Sequence, residues 1–211
     1  LVMDMLQAIR GLQGAREFYS LCGLMLPRHR IRVRLLCQGL RRAVSGLRDI
    51  EAPIEELAAL TILPSAVIIV ENLETGVALP DIPGCIAFMK LGNAVSVLNA
   101  LPWLRDAPVI YWGDIDTHGF AILDRARAVI PGLRSILMDE VTLLSYRSLW
   151  GQEPAQHPDV ALSRLTENER VVYSGLQSNT WGQKVRLEQE RVAWVHAMEA
   201  VALALQTTQK V

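Results

Sequence analysis

The sequence predicts an α/β domain in which a mainly parallel sheet is flanked by helices. Short apolar segments rich in β-branched residues alternate with helical patterns of about ten residues between positions 53 and 150. These apolar segments are continuous, as is typical of parallel strands that are covered on both faces. After Gly151 the strand signal stops, so a helical C-terminal tail is expected.

The N-terminal segment is predicted to be a helix followed by a strand. Residues 1–26 carry apolar residues at loose helical spacing, and Pro27 would end that helix. The next stretch, "RHRIRVRLL", alternates between basic and aliphatic residues, which indicates a half-buried strand. Its basic face is either a solvated surface or a row of guanidinium groups that follows a DNA phosphate backbone. That face carries Arg28, Arg30, Arg32 and Arg34.

The central and C-terminal regions give the remaining elements. A Thr166…Glu169 capping box opens one helix of the tail. A long helix is expected from about Lys184 to Leu205. The central elements are a helix at 53–62, strands at 66–72 and 85–90, a helix at 93–101, a strand at 107–114, a helix at 118–130, a strand at 134–139 and a helix at 140–150.

The net charge of −1 conceals an asymmetry along the chain. Residues 1–48 contain nine arginines and two acids, whereas the rest of the chain contains 12 basic and 20 acidic residues. Arginine binds phosphate through two parallel hydrogen bonds and stacks on bases, which lysine does not. A basic segment beside an acidic domain is common in nucleic-acid enzymes that carry metal ligands. A GC-rich genome would also produce an arginine bias.

Three segments are expected from these patterns. Residues 1–52 form a basic segment, expected to be the remnant of a longer chain or a linker to a further domain. Residues 53–150 form the α/β core, and residues 151–211 form its helical extension.

The cysteines and the hydropathy pattern predict a cytoplasmic protein without a membrane partner. Cys22, Cys37 and Cys85 are scattered and form no CxxC pair, which fits a reducing compartment. We find no signal peptide at the N-terminus and no apolar run of the roughly 18 residues that a transmembrane helix needs.

Acidic residues follow three of the predicted strands. Glu71 follows "VIIV", Asp114 and Asp116 follow "VIYW", and Asp139 follows "SILM". Ligands bind at the carboxyl ends of parallel strands, so these side chains are candidates for a site. Without a fixed counter-charge, Glu71, Asp114 and Asp116 would repel one another and their pKa values would rise. A divalent cation removes that cost, and oxygen ligands without cysteine favour Mg²⁺ or Mn²⁺.

Two glycines next to these acids have an expected role in the backbone. Gly113 is expected to permit a sharp exit from the strand. Gly119 is expected to allow a close approach of another backbone segment.

Each acidic residue also has a structural alternative. Asp116 or Thr117 would serve as a helix N-cap, and Glu71 would stabilise a helix starting near Asn72 through the helix dipole. His118 is either a hydrogen-bond donor or general acid of the site, or a residue that meets solvent at a helix start. Aspartate-nucleophile phosphatases also place Asp-x-Asp at a strand end. They require Thr or Val two residues after the second Asp, whereas Thr117 follows Asp116 directly.

A glutamate that ends one strand, with Asp-x-Asp about forty residues later, resembles the Toprim domain of topoisomerases, primases and related nucleases. Five longer blocks, in order over residues 28–205, resemble the C-terminal domain of the nuclease subunit of Wadjet plasmid defence (JetD). That subunit is similar to the A subunit of topoisomerase VI. The blocks are "VIIVENLETGVALP", "ALPWL", "YWGDIDTHGFAIL", "LMDEVTLLSYRSLWG" and "VRLEQERVAW".

The resemblance implies a Toprim-like, metal-dependent endonuclease that cleaves closed circular double-stranded DNA. It implies that Glu71, Asp114 and Asp116 hold Mg²⁺ or Mn²⁺. It also implies a homodimer that works with a condensin-like SMC ATPase complex. The topoisomerase relatives need a nucleophilic tyrosine in another domain, which implies hydrolysis here rather than strand passage. Three tyrosines in apolar or helical contexts are interpreted as packing residues: Tyr111, Tyr146 and Tyr173.

Two further points stay open from the sequence. Glu188 and Glu190 would add or orient a metal ligand from the predicted long helix, but two residues apart they point about 200° away from each other. At most one of them is therefore expected to face the site. The second hypothesis for function is a catalytically silent Toprim-like module that binds DNA or a partner protein.

Overall fold

A computed structural model describes residues 4–5, 19, 22–25, 28–158 and 160–208 of the chain. Its eight described strands are β1 (Arg30–Leu35), β2 (Asp49–Pro53), β3 (Ala66–Val70), β4 (Cys85–Met89), β5 (Val109–Trp112), β6 (Arg134–Ser135), β7 (Gly151–Gln152) and β8 (Val185–Arg186).

The first six strands form one sheet in the order β2-β1-β4-β3-β5-β6. Strand β3 is parallel to both β4 and β5, and β6 is parallel to β5. Strand β1 is antiparallel to β4. The predicted α/β class with a mainly parallel sheet is therefore confirmed, as is the C-terminal helix.

Helices connect and cover the strands. The described α-helices are α1 (Gln38–Arg41), α2 (Ile54–Ala58), α3 (Leu73–Ala78), α4 (Thr117–Val129), α5 (Glu140–Ser145), α6 (Glu167–Gln177) and α7 (Trp194–Thr208). The 3₁₀-helices in this part of the chain are Arg42–Val44, Gly92–Ala100, Pro102–Leu104, Arg147–Leu149 and Gln189–Arg191. None of the helices among the described residues has the length and apolar character to cross a membrane.

The centre of the sheet is buried on both faces, as its continuous apolar sequence predicts. Every residue of β3, β4 and β5 is buried. Val70, the last residue of β3, pairs with Met89 of β4 and with Trp112 of β5. The carboxyl ends of these strands are therefore level, and the residues that follow β3 and β5 leave the sheet side by side.

The chain divides into two compact units, residues 1–30 and residues 31–211. Most of the first unit, including Pro27 and most of the helix predicted over residues 1–26, lies outside the described residues. Residues 31–52 belong to the same unit as the core. Strand β1 has the predicted alternation, because Ile31, Val33 and Leu35 are buried whereas the intervening arginines are partly exposed.

Helix ends follow their sequence signals. The predicted capping box of α6 is confirmed: the Thr166 hydroxyl accepts from the Glu169 amide, and the Glu169 carboxylate accepts from the Thr166 amide. Helix α4 ends at Val129, just before Pro131. The helix predicted at 93–101 is a 3₁₀-helix.

Two strand predictions were too simple. The strand predicted at 134–139 ends at Ser135, because Leu137 adopts a left-handed backbone conformation with φ 58°. Strands also continue after position 150, since β7 and β8 form a short antiparallel pair. The helix predicted at 140–150 divides into α5 and a 3₁₀ turn at Arg147–Leu149.

The long helix predicted from Lys184 is wrong over its first ten residues. Helix α7 begins at Trp194, and residues 185–193 form β8, an extended stretch and a 3₁₀ turn. The physical reason is a period-two pattern in "VRLEQ": Val185, Leu187 and Gln189 are buried, whereas the residues between them are not.

Candidate functional site

The structure brings Glu71, Asp114 and Asp116 together at the carboxyl ends of β3 and β5. Glu71 Oε2 accepts a hydrogen bond from the Asp114 amide at 3.3 Å and from the Tyr111 hydroxyl at 3.4 Å. Glu71 is partly buried, whereas Asp114 and Asp116 are only 4% and 5% exposed. Tyr111 is buried as predicted for a packing residue, and its hydroxyl also orients Glu71.

Two glycines leave room for this arrangement. A Cβ on Gly113 would lie 2.9 Å from Glu71 Oε2, and a Cβ on Gly119 would lie 2.2 Å from the carbonyl oxygen of Asp114. The close backbone approach expected at Gly119 is therefore confirmed. Gly113 does not adopt a positive φ, and its lack of a side chain provides space beside Glu71 where β5 ends and the chain turns toward α4.

Helix caps account for some of the acidic residues but not for all of them. Asp116 is the N-cap of α4, since its Oδ1 accepts from the Gly119 amide at 2.7 Å. Asp139 caps α5 in the same way through the Thr142 amide. Helix α3 is capped by Asn72 rather than by Glu71. Glu71 and Asp114 thus have no capping role.

Arg186 supplies the counter-charge that the sequence interpretation assumed to be absent. Its guanidinium donates to Asp114 Oδ2 at 2.5 and 3.2 Å, and its Nε lies 3.2 Å from Asp116 Oδ2. The premise of three acids without a fixed counter-charge is therefore wrong. The sequence signal for Arg186 is the alternating "VRLEQ" pattern, which is typical of an extended segment and not of the predicted helix.

The segment that carries Arg186 is fixed to both strand ends. Leu187 and Ile115 exchange two backbone hydrogen bonds, of 2.9 and 3.1 Å. The Gln189 amide donates to Asp114 Oδ1 at 2.8 Å, and Gln189 Oε1 accepts from the Asn72 amide at 3.0 Å. Residues 185–190 therefore form a wall of the site, which we call the 185–190 segment.

Glu188 and Glu190 lie on this segment and not on the long helix. Glu188 Oε1 lies 3.5 Å from the Arg186 guanidinium, and its Oε2 accepts from Arg191 Nε at 2.8 Å. Glu190 accepts a hydrogen bond from the side-chain amide of Asn72. The argument that they point about 200° apart no longer holds, because it assumed helical geometry.

A buried carboxylate that the sequence interpretation missed lies next to Asp116. Glu153 is 2% exposed, and the Thr117 hydroxyl lies 2.8 and 3.0 Å from its two oxygens. A single hydroxyl donates only one proton, so the two oxygens share it. His118 is exposed and its Nε2 lies 2.9 Å from the carbonyl oxygen of Ala155. It contacts solvent and the 153–157 loop, with no hydrogen bond to the three strand-end acids.

Burial and the charges of neighbouring carboxylates raise the pKa values of Glu71, Asp116 and Glu153. Burial, followed by the charges of Asp114 and Asp116, raises the pKa of Glu71 to about 7. Burial is also the main cause that raises the pKa of Asp116 and of Glu153. For Arg186, burial acts to lower the pKa, but the hydrogen bond and charge of Asp114 outweigh it and the pKa is raised. The guanidinium is therefore permanently charged.

The donor set fits a hard divalent cation, although the side chains are arranged around Arg186. Among the described residues, no three His, Cys, Asp or Glu side chains are arranged as a ready metal site. Carboxylate oxygens of Glu71, Asp114 and Asp116 are nevertheless the ligands that Mg²⁺ and Mn²⁺ prefer. A cation there would compete with Arg186 for Asp114 and Asp116.

The predicted arginine face is partly neutralised. Arg32 forms a bidentate pair with Asp49 at 2.7 and 2.8 Å, and Arg34 lies 3.6 Å from the same carboxylate. Arg28 is exposed. The role of Arg28, Arg30, Arg32 and Arg34 in DNA binding stays a prediction.

Comparison with known proteins agrees with the sequence resemblance. No curated protein gives a significant match to the chain. The model of the family described as Wadjet protein JetD, C-terminal, matches residues 23–201. Since this match covers most of the 211 residues, the chain belongs to the family of C-terminal domains of the Wadjet protein JetD.

Proposed function

We propose that this chain is a Toprim-like, metal-dependent endonuclease domain that cleaves closed circular DNA in Wadjet anti-plasmid defence. The observation that carries the proposal is the convergence of Glu71, Asp114 and Asp116 at the ends of two adjacent parallel strands. Neither Glu71 nor Asp114 caps a helix, so helix capping does not account for these two acids. Family membership supports the defence context.

These three residues would hold one or two Mg²⁺ or Mn²⁺ ions. The bound cation would activate water and stabilise the oxygen that leaves the phosphodiester. Tyr111 and the Asp114 amide orient Glu71, and the Gln189 amide orients Asp114. The burial of both aspartates excludes water from the carboxylates, which strengthens their attraction for a cation.

Double-stranded DNA, a second copy of the chain and a condensin-like SMC ATPase complex are the proposed partners. The arginines of β1 and of the residues before it would contact the phosphate backbone. Glu188, Glu190 and His118 are kept as candidates for orienting a ligand or donating a proton. Their described contacts include Arg186 and Arg191 for Glu188, Asn72 for Glu190 and Ala155 for His118, so these residues are weaker candidates than the three strand-end acids.

A catalytically silent module is the second candidate, and one specific observation favours it. Arg186 already pairs with both Asp114 and Asp116, so the two aspartates have a cationic partner without a metal. In such a module the strand-end acids would hold the 185–190 segment in place and DNA binding would not lead to cleavage.

Plasmid cleavage separates the two candidates. Closed circular plasmid is incubated with the protein in Mg²⁺, Mn²⁺ or EDTA, and nicked and linear products are followed on a gel. We expect metal-dependent cleavage that falls by orders of magnitude in Asp114→Asn and in Glu71→Gln. Asp139→Asn is the matched control, because Asp139 also follows a strand and Asn is an equally good helix cap. Plasmid binding without cleavage in either metal would favour the silent module.

A further inference from the structure

Arg186 contacts the strand-end acids but has no part in the proposed hydrolysis. Its guanidinium reaches Asp114 at 2.5 Å and Asp116 at 3.2 Å, so it bridges the two aspartates. Both aspartates are nearly buried, since 6% of the Asp114 side chain alone and 8% of the Asp116 side chain alone are exposed. A buried carboxylate without a partner is costly, so a cation of some kind is needed at this position.

The backbone beside Arg186 is fixed, whereas the side chain itself is accessible. Leu187 is held by two backbone hydrogen bonds to Ile115, and Gln189 is held by Asp114 and Asn72. The Arg186 side chain is 31% exposed, and its Nη1 lies 3.5 Å from Glu188 at the solvent side. The guanidinium can therefore leave the aspartates for Glu188 and solvent without moving the backbone.

We propose that Arg186 is the resident counter-cation of the site and sets its affinity for a divalent metal ion. In the metal-free protein Arg186 holds Asp114 and Asp116 in position. A divalent cation binds the same oxygens, so binding requires Arg186 to release at least one aspartate. The inference rests on the proposed function, since it assumes that the acids take a metal.

Arg186 is therefore expected to stabilise the metal-free protein and to weaken its affinity for the metal. Removing Arg186 leaves two buried aspartates without their cation, which lowers the stability of the metal-free protein. The same removal eliminates the competitor, so the metal binds more tightly. A purely structural role for Arg186 predicts the opposite, because a disordered site binds a metal less well.

Calorimetric titration with Mn²⁺ tests the inference directly. We expect Arg186→Gln to bind Mn²⁺ about tenfold more tightly than the wild type or better, because a competing charge within hydrogen-bond distance is lost. Arg186→Lys keeps the charge but cannot bridge both aspartates, so its affinity should lie between the two. Arg191→Gln is the matched control, because Arg191 lies on the same stretch and contacts only Glu188 and the Leu149 carbonyl in the described structure.

Thermal melting in EDTA gives a second readout on the same preparations. We expect Arg186→Gln to melt below the wild type without metal and to gain more from saturating Mn²⁺. If Arg186→Gln does not fold, Arg186→Lys carries the test through its intermediate affinity. Equal or weaker Mn²⁺ binding by the Arg186 variants overturns the inference while the proposed function stands. Absence of Mn²⁺ binding in all variants, the wild type included, overturns both.

Discussion

Gly119 lies directly against the backbone carbonyl of Asp114, and a Cβ at position 119 would be 2.2 Å from that oxygen. The contact arises because the chain turns from β5 into α4 within four residues, and Asp116 caps the helix through the Gly119 amide. The glycine therefore allows both aspartates to lie at the same strand end.

Gly119→Ala is expected to destabilise the protein, against the trend for helices. Alanine in a helix is normally more stable than glycine by about 1 kcal/mol. Here the added methyl group must displace the Asp114 carbonyl, at a cost of roughly 1–3 kcal/mol or more. Urea unfolding in EDTA measures the free energy of unfolding. Gly39→Ala is the control, because that helical glycine would make only an ordinary contact, 3.6 Å from Cys37. Stabilisation by Gly119→Ala would contradict the steric explanation.

Arg127→Met is expected to be strongly destabilising, by about 3–5 kcal/mol, because it leaves Glu169 buried without its cation. Arg127 forms a bidentate pair with Glu169 at 2.5 and 2.8 Å, and the two side chains are 9% and 5% exposed. Burial acts to raise the pKa of Glu169, but hydrogen bonds from Arg127 and Ser135 outweigh it and the pKa is lowered.

The stability from this pair has a defined pH dependence. A lowered pKa in the folded state stabilises the protein above the unfolded pKa of about 4.3, and that stability is lost as the pH falls. The loss in free energy of unfolding caused by Arg127→Met should therefore become smaller at acidic pH. Arg170→Met is the control, since Arg170 and its partner Glu167 are mostly exposed and such pairs are worth about 0–1 kcal/mol. Equal losses of stability in Arg127→Met and Arg170→Met would show that burial does not determine how much an ion pair stabilises this protein.

The elements predicted correctly are those whose signal is local. The buried runs of β3, β4 and β5 and the capping box of α6 each depend on a few adjacent residues. Because parallel strands align their carboxyl ends, the sequence alone also predicts that Glu71, Asp114 and Asp116 lie close together.

The residues that were missed depend on distant parts of the chain. Arg186 is 72 residues from Asp114, and Glu153 is 36 residues from Thr117. The alternating "VRLEQ" stretch covers only five residues, so its periodicity alone could not outweigh the helical pattern that follows it. Its pairing with β7 and the bridge between Leu187 and Ile115 give the extended conformation, and neither is visible from local sequence.

If the arginine face of β1 binds DNA, two variants should change DNA binding in opposite directions. Replacing both Arg30 and Arg32 by Gln should weaken DNA binding and reduce the slope of log K against log salt by roughly 0.9 for each lost phosphate contact. Asp49→Asn should strengthen binding, because Asp49 neutralises Arg32 and lies near Arg34. Fluorescence anisotropy with a short duplex at several salt concentrations measures both. Unchanged slopes in both variants would show that this face is only solvated surface.

The raised pKa of Glu71 predicts how the stability of the metal-free protein depends on pH. Burial and the charges of Asp114 and Asp116 raise its pKa to about 7, above the ordinary value of 4.5. Because the pKa of Glu71 is higher in the folded state than in the unfolded state, this residue stabilises the folded protein fully only below the unfolded pKa. The stabilisation is lost as the pH rises through the folded pKa of about 7. In EDTA, wild-type stability should therefore decline between pH 5 and pH 8, on the order of 1–3 kcal/mol from this group.

Glu71→Gln removes this titration and keeps the size and an acceptor oxygen of the side chain. The variant should match the wild type near pH 5 and exceed its free energy of unfolding at pH 8. Saturating Mn²⁺ should reverse the order at pH 8, because a cation favours ionised Glu71 and the variant lacks that carboxylate. Glu199→Gln on the exposed face of α7 is the control and should show neither effect. If the variant is less stable than the wild type by the same amount at every pH, Glu71 acts through its hydrogen bonds to Tyr111 and Asp114. Its assignment as a metal ligand would then rest on the Mn²⁺ result alone.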